Sequence, residues 1–464
     1  MSIYTSAAYE RSFYMNKIEK IPSFNQNLLT YEPIFPRNEF YMRWLNKLVL
    51  WEGDKNATWV ESSRAYFEGT YIHAGISNNS VIFTGADAQQ LISDATINNV
   101  WKWKIGRCKH LVQLDDNGLI MNHGLFVRDA EDSFRATACD VTPLMMLMRK
   151  RKYDVQMTQI DQFVFQFSGP RSLTVIERVT QTNLHDVKFL EVRPVTIPGI
   201  DAKFEVCRIG MSGTLAYELR GDAEWGPTVY KMAYEKGQQD GLKRLGVRDY
   251  HVNHTFGGYP QMACSFMQSY NYEPWYADMC MKMFTYEPRN NGSVDPKDNR
   301  ARCRSAVEVG WAWMADFNHD FVGKEALQEE MQNPKRKIVT LEWNKEDIVD
   351  IYASQFTDEP YKYMEMPSGV NEFAGDHQNY VCDADGNVIG ISAVPVYSSW
   401  YHTTISETIL DIDKIRGDAE VYVQWGDFGG KIKNVRATIT RYPYIDLVDN
   451  KDYDLSTVPC GVAE

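Results

Sequence analysis

The sequence predicts an α+β protein in which two related α+β units precede a mostly β C-terminal domain. Residues Val81 to Ile92 have the pattern of a strand, a glycine turn and a helix, and Asp87 stands where a helix N-terminus favours a carboxylate. Residues Phe163 to Glu177 repeat this order of strand, glycine and helix. Two such units in a chain of 464 residues indicate two related α+β halves.

The C-terminal part is predicted to be rich in β structure. Phe321 to Leu327 begins a helix, and the alternating segment Lys337 to Trp343 that follows has the period of a strand. Beyond it, turn sequences at Asp383 to Gly386 and at Gly426 to Gly430 separate short β runs. We therefore expect two α+β domains in residues 1–335 and a β-rich domain in residues 336–464.

Composition and charge argue against several classes of protein. Apolar residues make up 44% of the chain, and no apolar run approaches the ~18 residues of a membrane span. The formal net charge of −13 opposes a nucleic-acid surface. The eight cysteines include no CxxC pair, so neither a zinc site nor a disulfide framework is indicated. We expect a cytoplasmic protein that binds no metal, nucleic acid or membrane, with its oligomeric state left open.

The segment Arg208 to Leu219 places one carboxylate, Glu218, just after a glycine-punctuated turn and among residues typical of a strand. A carboxylate can accept paired N–H donors from a planar heterocycle, such as an aminopyrimidine or pterin ring. The same pattern also describes an ordinary hairpin with an incidental glutamate. On its own, the segment leaves both interpretations open.

Eight short motifs occur along the chain in the order typical of one family. They are Thr84–Ala88, Asn117–Gly124, Phe167–Pro170, Arg208–Leu219, Gly246–Tyr250, Val309–Trp311, Phe321–Leu327 and Gly386–Gly390. In this order the sequence resembles the folate-binding aminomethyltransferase family, whose founding member is the T-protein of glycine cleavage. The resemblance implies two interlaced α+β domains and a C-terminal β-rich domain around a central folate channel.

Within this family, the nearest resemblance is to the tetrahydrofolate-dependent O-demethylases of vanillate and syringate type. It rests on Arg336–Asn344, Ile351–Ser354 and Asp383–Gly390. The resemblance implies a methyltransferase that moves the methyl group of a methoxybenzoate or methoxyphenol, chlorinated or not, to N5 of tetrahydrofolate. Two alternatives stay open: a folate-dependent demethylase of a sulfonium or amine donor, and a non-catalytic folate-binding protein.

The resemblance assigns two residues to folate. Glu218 matches the family carboxylate that accepts hydrogen bonds from the pterin amino and ring N–H groups. Arg248 is expected to hold folate through its polar or glutamate portion. An ion pair between Arg248 and Asp249, or another nearby carboxylate, is the structural alternative.

The ether oxygen needs a proton donor, because it is a poor leaving group as an alkoxide or phenolate. Tyr250 matches the tyrosine that these demethylases place near the methoxy group, and a phenol with an ordinary pKa of ~10 suits a general acid. His254 is a candidate proton relay or substrate contact. Tyr31 matches a position in the substrate pocket, with Trp44 as a neighbouring wall. A purely structural role is the alternative for Tyr250 and for His254.

Two positions depart from the family pattern. Where the relatives carry an aspartate, this chain has Asn122-His123, and the simplest alignment puts His123 in the place of the acid. A neutral imidazole there can bond to folate near N5, with Asn122 as a further folate contact. Where vanillate-type enzymes have an arginine for the substrate carboxylate, the alignment gives Cys139, which cannot replace an arginine fork. Either the carboxylate anchor lies elsewhere or the substrate differs.

Overall fold

Among the described residues, helices and strands alternate in the first two thirds of the chain, and strands dominate the remainder. The computed structural model describes residues 29–30, 41–44, 47–51, 59–74, 79–137, 139–276, 290–368, 376–393, 395–417 and 419–462. The α-helices within these ranges are α1 (Trp59–Glu68), α2 (Ala88–Ala95), α3 (Thr142–Lys150), α4 (Ser172–Thr180), α5 (Gly226–Gly237), α6 (Tyr250–Gly257), α7 (Asn299–Arg302), α8 (Lys324–Gln332) and α9 (Lys345–Ser354).

A ten-stranded sheet spans the first part of the chain, and one long strand, β9 (Gln156–Ser168), joins its two halves. The first half of β9 pairs with β5 (Asn79–Thr84), and the second half pairs with β12 (Ala216–Asp222) and β4 (Thr70–His73). The other strands of this sheet are β6 (Cys108–Leu114), β7 (Ile120–Ala130), β8 (Ser133–Thr137), β10 (Val192–Ile197), β11 (Ile200–Cys207) and β13 (Leu242–Arg244). A separate small sheet contains β1 (Leu29–Thr30), β2 (Tyr41–Trp44) and β3 (Lys47–Leu50).

Both expected units of strand, glycine and helix are present. β5 leads through Gly85 into α2, and β9 leads through Gly169 into α4. Gly85 has φ 137°, and a Cβ atom there would lie 2.2 Å from the carbonyl oxygen of Asp154, so this turn requires glycine. Asp87 directly precedes α2, and its carboxylate accepts a hydrogen bond from the Asp154 amide at 2.8 Å.

The C-terminal part contains a seven-stranded sheet, six of whose strands close into a ring. The ring closes at β15 (Arg336–Trp343), which pairs with both β22 (Lys433–Thr440) and β20 (Thr403–Asp411). The remaining strands of this sheet are β17 (Asn379–Cys382), β18 (Val388–Ser392), β19 (Val396–Ser398) and β21 (Glu420–Trp425), and β14 (Asn290–Asn291) pairs with β16 (Asp376–His377) elsewhere. The expected α+β class with a β-rich C-terminal part is confirmed, while the boundary after residue 335 stays a prediction.

The last described residues return to α4 in the first part of the chain. The Gly461 amide donates to Glu177 Oε2 at 2.8 Å, and His185 links Glu177 to the Val458 carbonyl with contacts of 2.9 and 3.0 Å. Cys460 lies beside Glu177 and His185, with ligand atoms within 4.8 Å of one another. Protein hydrogen bonds already use this carboxylate and both ring nitrogens, so the cluster acts as an anchor for the C-terminal segment.

Membrane insertion was not expected from the sequence. In the ranges that the structure describes, no helix has the length and apolar character required to cross a bilayer.

Candidate active site

Four neighbouring strands carry a row of polar side chains across one face of the large sheet. His73 on β4 pairs with Gln166 on β9, Gln166 pairs with Glu218 on β12, and Glu218 pairs with Cys207 on β11. Directly paired residues of antiparallel strands share a face, so these four side chains point the same way. The alternate residues of three of these strands pack in the hydrophobic core on the other face: Ile72, Phe167 and Tyr217.

The segment before Glu218 is a hairpin loop between β11 and β12, and it docks against the end of α6. Gly213 in this loop has φ 71°, and a Cβ atom there would meet the Gly257 carbonyl oxygen at 3.3 Å. A Cβ atom at Gly210 would lie only 2.2 Å from the Ala216 Cβ. The glycines therefore allow a tight loop that brings Glu218 close to α6.

A chain of ion pairs holds the Glu218 carboxylate in place. Arg220 is fully buried and donates from Nη2 and Nε to Glu218 Oε2 at 2.5 and 3.1 Å. Arg220 also contacts Glu205 at 3.4 Å, and Glu205 pairs with Arg135 at 2.8 Å. Both bonds from Arg220 reach the same oxygen of Glu218, and Oε1 accepts no hydrogen bond from the described residues. A carboxylate held in this way can accept an N–H donor of a pterin ring at Oε1.

Strands β6 and β7 form a second wall opposite this row. Cys108 Sγ on β6 lies 3.2 Å from Cys207 Sγ, so the two walls touch. His110 lies on the same face of β6 as Cys108, and its Nε2 is 2.9 Å from Nδ1 of His123 on β7. Nε2 of His123 is buried without a hydrogen-bond partner in the described part of the chain. His123 therefore belongs to the wall that faces Glu218.

Asn122 and Cys139 lie behind this second wall. Side chains alternate along a strand, so Asn122 points away from the face that carries His123, and its amide donates to the Asp140 carbonyl at 2.6 Å. Cys139 packs on that same side of β7, because a Cβ atom at Gly124 would lie 2.5 Å from the Cys139 Cβ. Burial, together with Asp140, raises the pKa of the Cys139 thiol, which is therefore neutral. The folate contact of Asn122 and the substrate contact of Cys139 stay predictions.

Helix α6 brings Tyr250 and His254 to the site, one helical turn apart. The Tyr250 ring stacks on His73 with centroids 4.2 Å apart and meets His254 edge-on at 4.3 Å. Tyr259 follows the helix, and its amide donates to the His254 carbonyl at 2.9 Å. The Tyr259 ring lies 6.2 Å from His254 and 5.7 Å from His123. Tyr259 thus connects α6 with the second wall.

Burial keeps the imidazoles of the site neutral and its phenols protonated. It lowers the pKa of His73 to about 3 and the pKa values of His110 and His251 to about 4. Burial and neighbouring imidazoles lower the pKa values of His123 and His254 well below the ordinary range. The pKa of Tyr250 is raised well above its ordinary value, by burial first and then by Tyr71 and Glu218.

These histidines should make the protein sensitive to acid. Histidine in the unfolded chain takes up a proton near pH ~6.5, whereas these five histidines resist protonation in the fold. Their contribution to the free energy of unfolding therefore has its full value above about pH 6.5 and falls as the pH is lowered toward about 4. Each histidine adds a slope of about 1.4 kcal/mol per pH unit to the free energy of unfolding in this window. Urea unfolding at a series of pH values should show a slope that is smaller by about this amount in His110→Gln.

The exposed His402 provides the control for this experiment. It lies at φ 54°, a backbone conformation that asparagine tolerates, so His402→Asn removes a titratable ring without strain. Comparison with His402→Asn tests whether the change of slope in His110→Gln comes from the burial of the ring, because His402 is exposed. An unchanged slope in His110→Gln would mean that His110 is protonated in the folded protein, which would contradict the account.

The remaining predicted residues are Arg248, Tyr31 and Trp44. Arg248 lies two residues before the start of α6, is half-buried, and donates from Nη2 to the Met366 carbonyl at 2.8 Å. Tyr31 lies outside the described residues, and so do the side chains of Trp44 and Asp249. The roles of Tyr31, Trp44 and Arg248 stay predictions.

Several residues of the site were not predicted from the sequence. They are His73, His110, His251, Tyr259 and Trp311, whose ring lies 4.5 Å from that of His123. Because side chains alternate along a strand, His73 points to the face of β4 opposite the one that carries Ile72. Only the pairing of β4 with β9 places His73 in the same row as Glu218. Trp311 lies in the motif Val309–Trp311, to which no function was assigned from the sequence.

Comparisons with known proteins identify the family. Residues 57–268 match the family model described as GCVT N-terminal domain. Sesamin methylene transferase of Sinomonas sp. (strain No.22) is 35% identical over 421 residues, which cover 86% of this chain and 91% of that protein. Syringate O-demethylase of Sphingobium sp. (strain NBRC 103272 / SYK-6) is 25% identical over 366 residues, which cover 75% and 77%.

A solved structure has the same fold. The glycine cleavage system aminomethyltransferase T from Bartonella henselae aligns with a TM-score of 0.59 over 88% of this chain and 94% of its own, at 14% identity. This likeness confirms the T-protein-like α+β architecture. Together with the family match, it shows that the chain belongs to the GCVT, or T-protein, family and is a transferase that depends on tetrahydrofolate.

Proposed function

We propose that this enzyme transfers a one-carbon unit from an aromatic ether to tetrahydrofolate and releases a phenol. The observation that carries the proposal is the placement of Tyr250, a buried and protonated phenol held between His73 and His254. A hydroxyl in this state can donate a proton to an oxygen that gains negative charge as its bond to carbon breaks. Tetrahydrofolate, when bound, supplies the nitrogen that accepts the carbon.

The folate-binding role of Glu218 is supported by its available oxygen and by the buried guanidinium behind it. Because Arg220 holds Oε2, the carboxylate keeps its orientation while Oε1 accepts from a ring N–H. His123, whose Nε2 has no partner in the described residues, can hydrogen-bond to the same ligand from the opposite wall. Arg248 remains the candidate for the glutamate portion of folate.

The proposed role of Tyr250 is that of the general acid. The neighbouring imidazoles are neutral at physiological pH, so no adjacent histidine cation favours its ionised form. The stacked ring of His73 and the edge of His254 restrict the phenol to one orientation, which is the condition for efficient proton transfer. His254 can return a proton to Tyr250 after turnover.

The charge of the site favours an uncharged donor. Among the described residues on the wall of Glu218, the arginines Arg220 and Arg135 are both engaged in ion pairs. Cys139, where a carboxylate-binding arginine was expected from related enzymes, is a neutral thiol. We therefore favour a methoxyphenol or another neutral aryl ether, chlorinated or not, over a methoxybenzoate.

A second candidate differs in the carbon that is transferred. The relative with 35% identity is a methylene transferase, whereas the syringate enzyme is an O-demethylase. A donor whose carbon bridges two aryl oxygens would give a methylene folate, whereas a methoxy donor would give 5-methyltetrahydrofolate. Both reactions need the same proton donor at a departing aryl oxygen.

The test is a panel of methoxyphenols, methoxybenzoates and methylenedioxyaryl compounds, incubated with enzyme and tetrahydrofolate and followed by mass spectrometry of the folates. We expect a one-carbon folate with the neutral ethers, and its mass distinguishes methyl from methylene transfer. Turnover only with sulfonium or amine donors would contradict the proposal. Tetrahydrofolate binding without turnover of any donor would instead indicate a non-catalytic folate-binding protein.

A further inference from the structure

A buried carboxyl group lies close to the site but outside both of its walls. Glu407 on β20 is 4% exposed and accepts a hydrogen bond from the Ser265 hydroxyl. The other ionisable groups that face this carboxyl are Arg304 and Tyr442. A carboxyl group this deep in the fold is costly to keep ionised without a close partner, and no ion pair of Glu407 is formed within the described residues.

Ser265 connects this carboxyl to a small cavity beside α6. The Ser265 hydroxyl accepts a hydrogen bond from the backbone N–H of Gln261 at 3.0 Å. The side-chain oxygen of Gln261 lies 2.6 Å from Nδ1 of His251. The free interior of the cavity, about 10 Å³, is close to the space that one water molecule needs. His251, His254, Gln261 and Ser265 are among the residues that line the cavity.

The cavity leads to Tyr250 through His254. His254 lines the cavity, and its Nδ1 is buried without a hydrogen-bond partner in the described structure. On its other side the same ring lies 4.3 Å from the ring of Tyr250. A hydroxyl, a water molecule in the cavity and a neutral imidazole can each accept and donate a proton, so these groups form a path that can pass a proton from Ser265 to His254, whose ring packs against Tyr250.

The carboxyl at the far end of this path carries a proton at neutral pH. Burial raises the pKa of Glu407 to about 8, although Ser265, Arg304 and Tyr442 act in the opposite direction. The imidazoles along the path are neutral, so Glu407 is the group on it that can release a proton near neutral pH.

We propose that Glu407 resupplies the proton of Tyr250 through Ser265, the cavity and His254. The inference rests on the proposed function. When the ether C–O bond breaks and the carbon passes to a nitrogen of tetrahydrofolate, which gives up its own N–H proton to solvent, Tyr250 gives its proton to the departing aryl oxygen. The Tyr250 O–H bond then breaks and the O–H bond of the product phenol forms. The Glu407 proton then passes along the path and restores the Tyr250 hydroxyl, leaving a carboxylate that regains a proton from solvent between turnovers. Glu407 does not contact the reacting atoms and acts through Tyr250.

The first test combines a spectroscopic titration of the protein without ligands with a pH profile of turnover. Infrared spectra of the wild-type protein should show the carbonyl band of a protonated carboxylic acid that is lost with a midpoint near pH 8, and Glu407→Gln should lack this band. Wild-type turnover should fall above pH 8, whereas Glu407→Gln should show no such fall and a rate lower by about tenfold. Ser265→Ala should keep the carbonyl band of Glu407, but its turnover should no longer fall at the pH at which the band is lost.

Glu342 on β15 provides the matched control. It is a partly buried carboxyl of the same ring of strands that also accepts a hydroxyl bond, from Tyr444 at 2.8 Å, but it does not line the cavity. Glu342→Gln should keep both the band and the fall in turnover. An alkaline fall that persists in Glu407→Gln, or a band that Glu407→Gln retains, would overturn the relay alone. Absence of turnover with every ether would overturn the proposed function together with the relay.

Discussion

Replacing Tyr250 with phenylalanine is expected to lower turnover by about 10²–10³-fold, the loss typical of removing a general acid. The phenylalanine ring can keep the stacked contact with His73 and the edge contact with His254, so the shape of the site is preserved. Only the proton donor disappears. Affinity for tetrahydrofolate, measured by calorimetry, should change by less than about twofold, because the lost interaction acts on the transition state.

Tyr66→Phe is the matched control. Tyr66 is fully buried in the same hydrophobic cluster as Tyr250, so its substitution also removes a buried phenolic hydroxyl. We expect nearly wild-type turnover from this variant. Equal losses of turnover and folate affinity in Tyr250→Phe would make Tyr250 a binding or folding residue and would contradict its role as the acid.

Replacing Glu218 with glutamine is expected to weaken tetrahydrofolate binding by about 1.5–3 kcal/mol, or roughly 10- to 150-fold in Kd. The amide keeps the size of the side chain but removes the charge that strengthens hydrogen bonds from ring N–H donors. The Arg220 guanidinium loses a carboxylate partner at 2.5 Å, so the melting temperature should also fall. Calorimetric titration with tetrahydrofolate measures the first effect, and thermal unfolding measures the second.

Glu205→Gln separates the loss of an ion pair from the loss of a folate contact. Glu205 also pairs with Arg220, at 3.4 Å, and with Arg135, at 2.8 Å, but the pterin contact is assigned to Glu218. We expect reduced thermal stability in Glu205→Gln with folate affinity within about twofold of wild type. A Kd that is unchanged in Glu218→Gln would remove Glu218 from the folate site.

Local sequence patterns predicted those parts of the fold that depend on nearby residues. The two units of strand, glycine and helix follow from apolar runs and from glycines such as Gly85, whose positive φ no other residue tolerates well. The alternation in Arg336 to Trp343 likewise predicted β15. The glycine turn that precedes Glu218 marked this residue as a candidate site residue, and in the structure that turn is a hairpin loop.

Pairing across the sheet could not be predicted from local patterns. The row from His73 to Glu218 depends on the register between three strands that are far apart in sequence. The contact between His110 and His123 depends on the pairing of β6 with β7. The position of Tyr259 depends on the turn that ends α6, in which its backbone amide donates to the His254 carbonyl. His73, His110 and Tyr259 carry no local motif, so sequence reasoning missed them.

The adjacent pair Asn122-His123 shows what the strand period adds. Both residues were predicted to take part in the site, yet neighbours in a strand point to opposite faces. The structure puts His123 on the wall opposite Glu218, while the Asn122 amide donates to the Asp140 carbonyl on the other side. The two-residue period alone would have predicted that only one of them faces the ligand.

The most direct test of the account uses an aryl ether labelled with ¹³C at the transferable carbon. After incubation with enzyme and tetrahydrofolate, NMR spectra should show the label in a one-carbon folate in an amount equal to the phenol released. Without tetrahydrofolate, no phenol should form. Release of phenol with the label in methanol or formaldehyde, or transfer of label that does not need tetrahydrofolate, would contradict one-carbon transfer from an aromatic ether to folate.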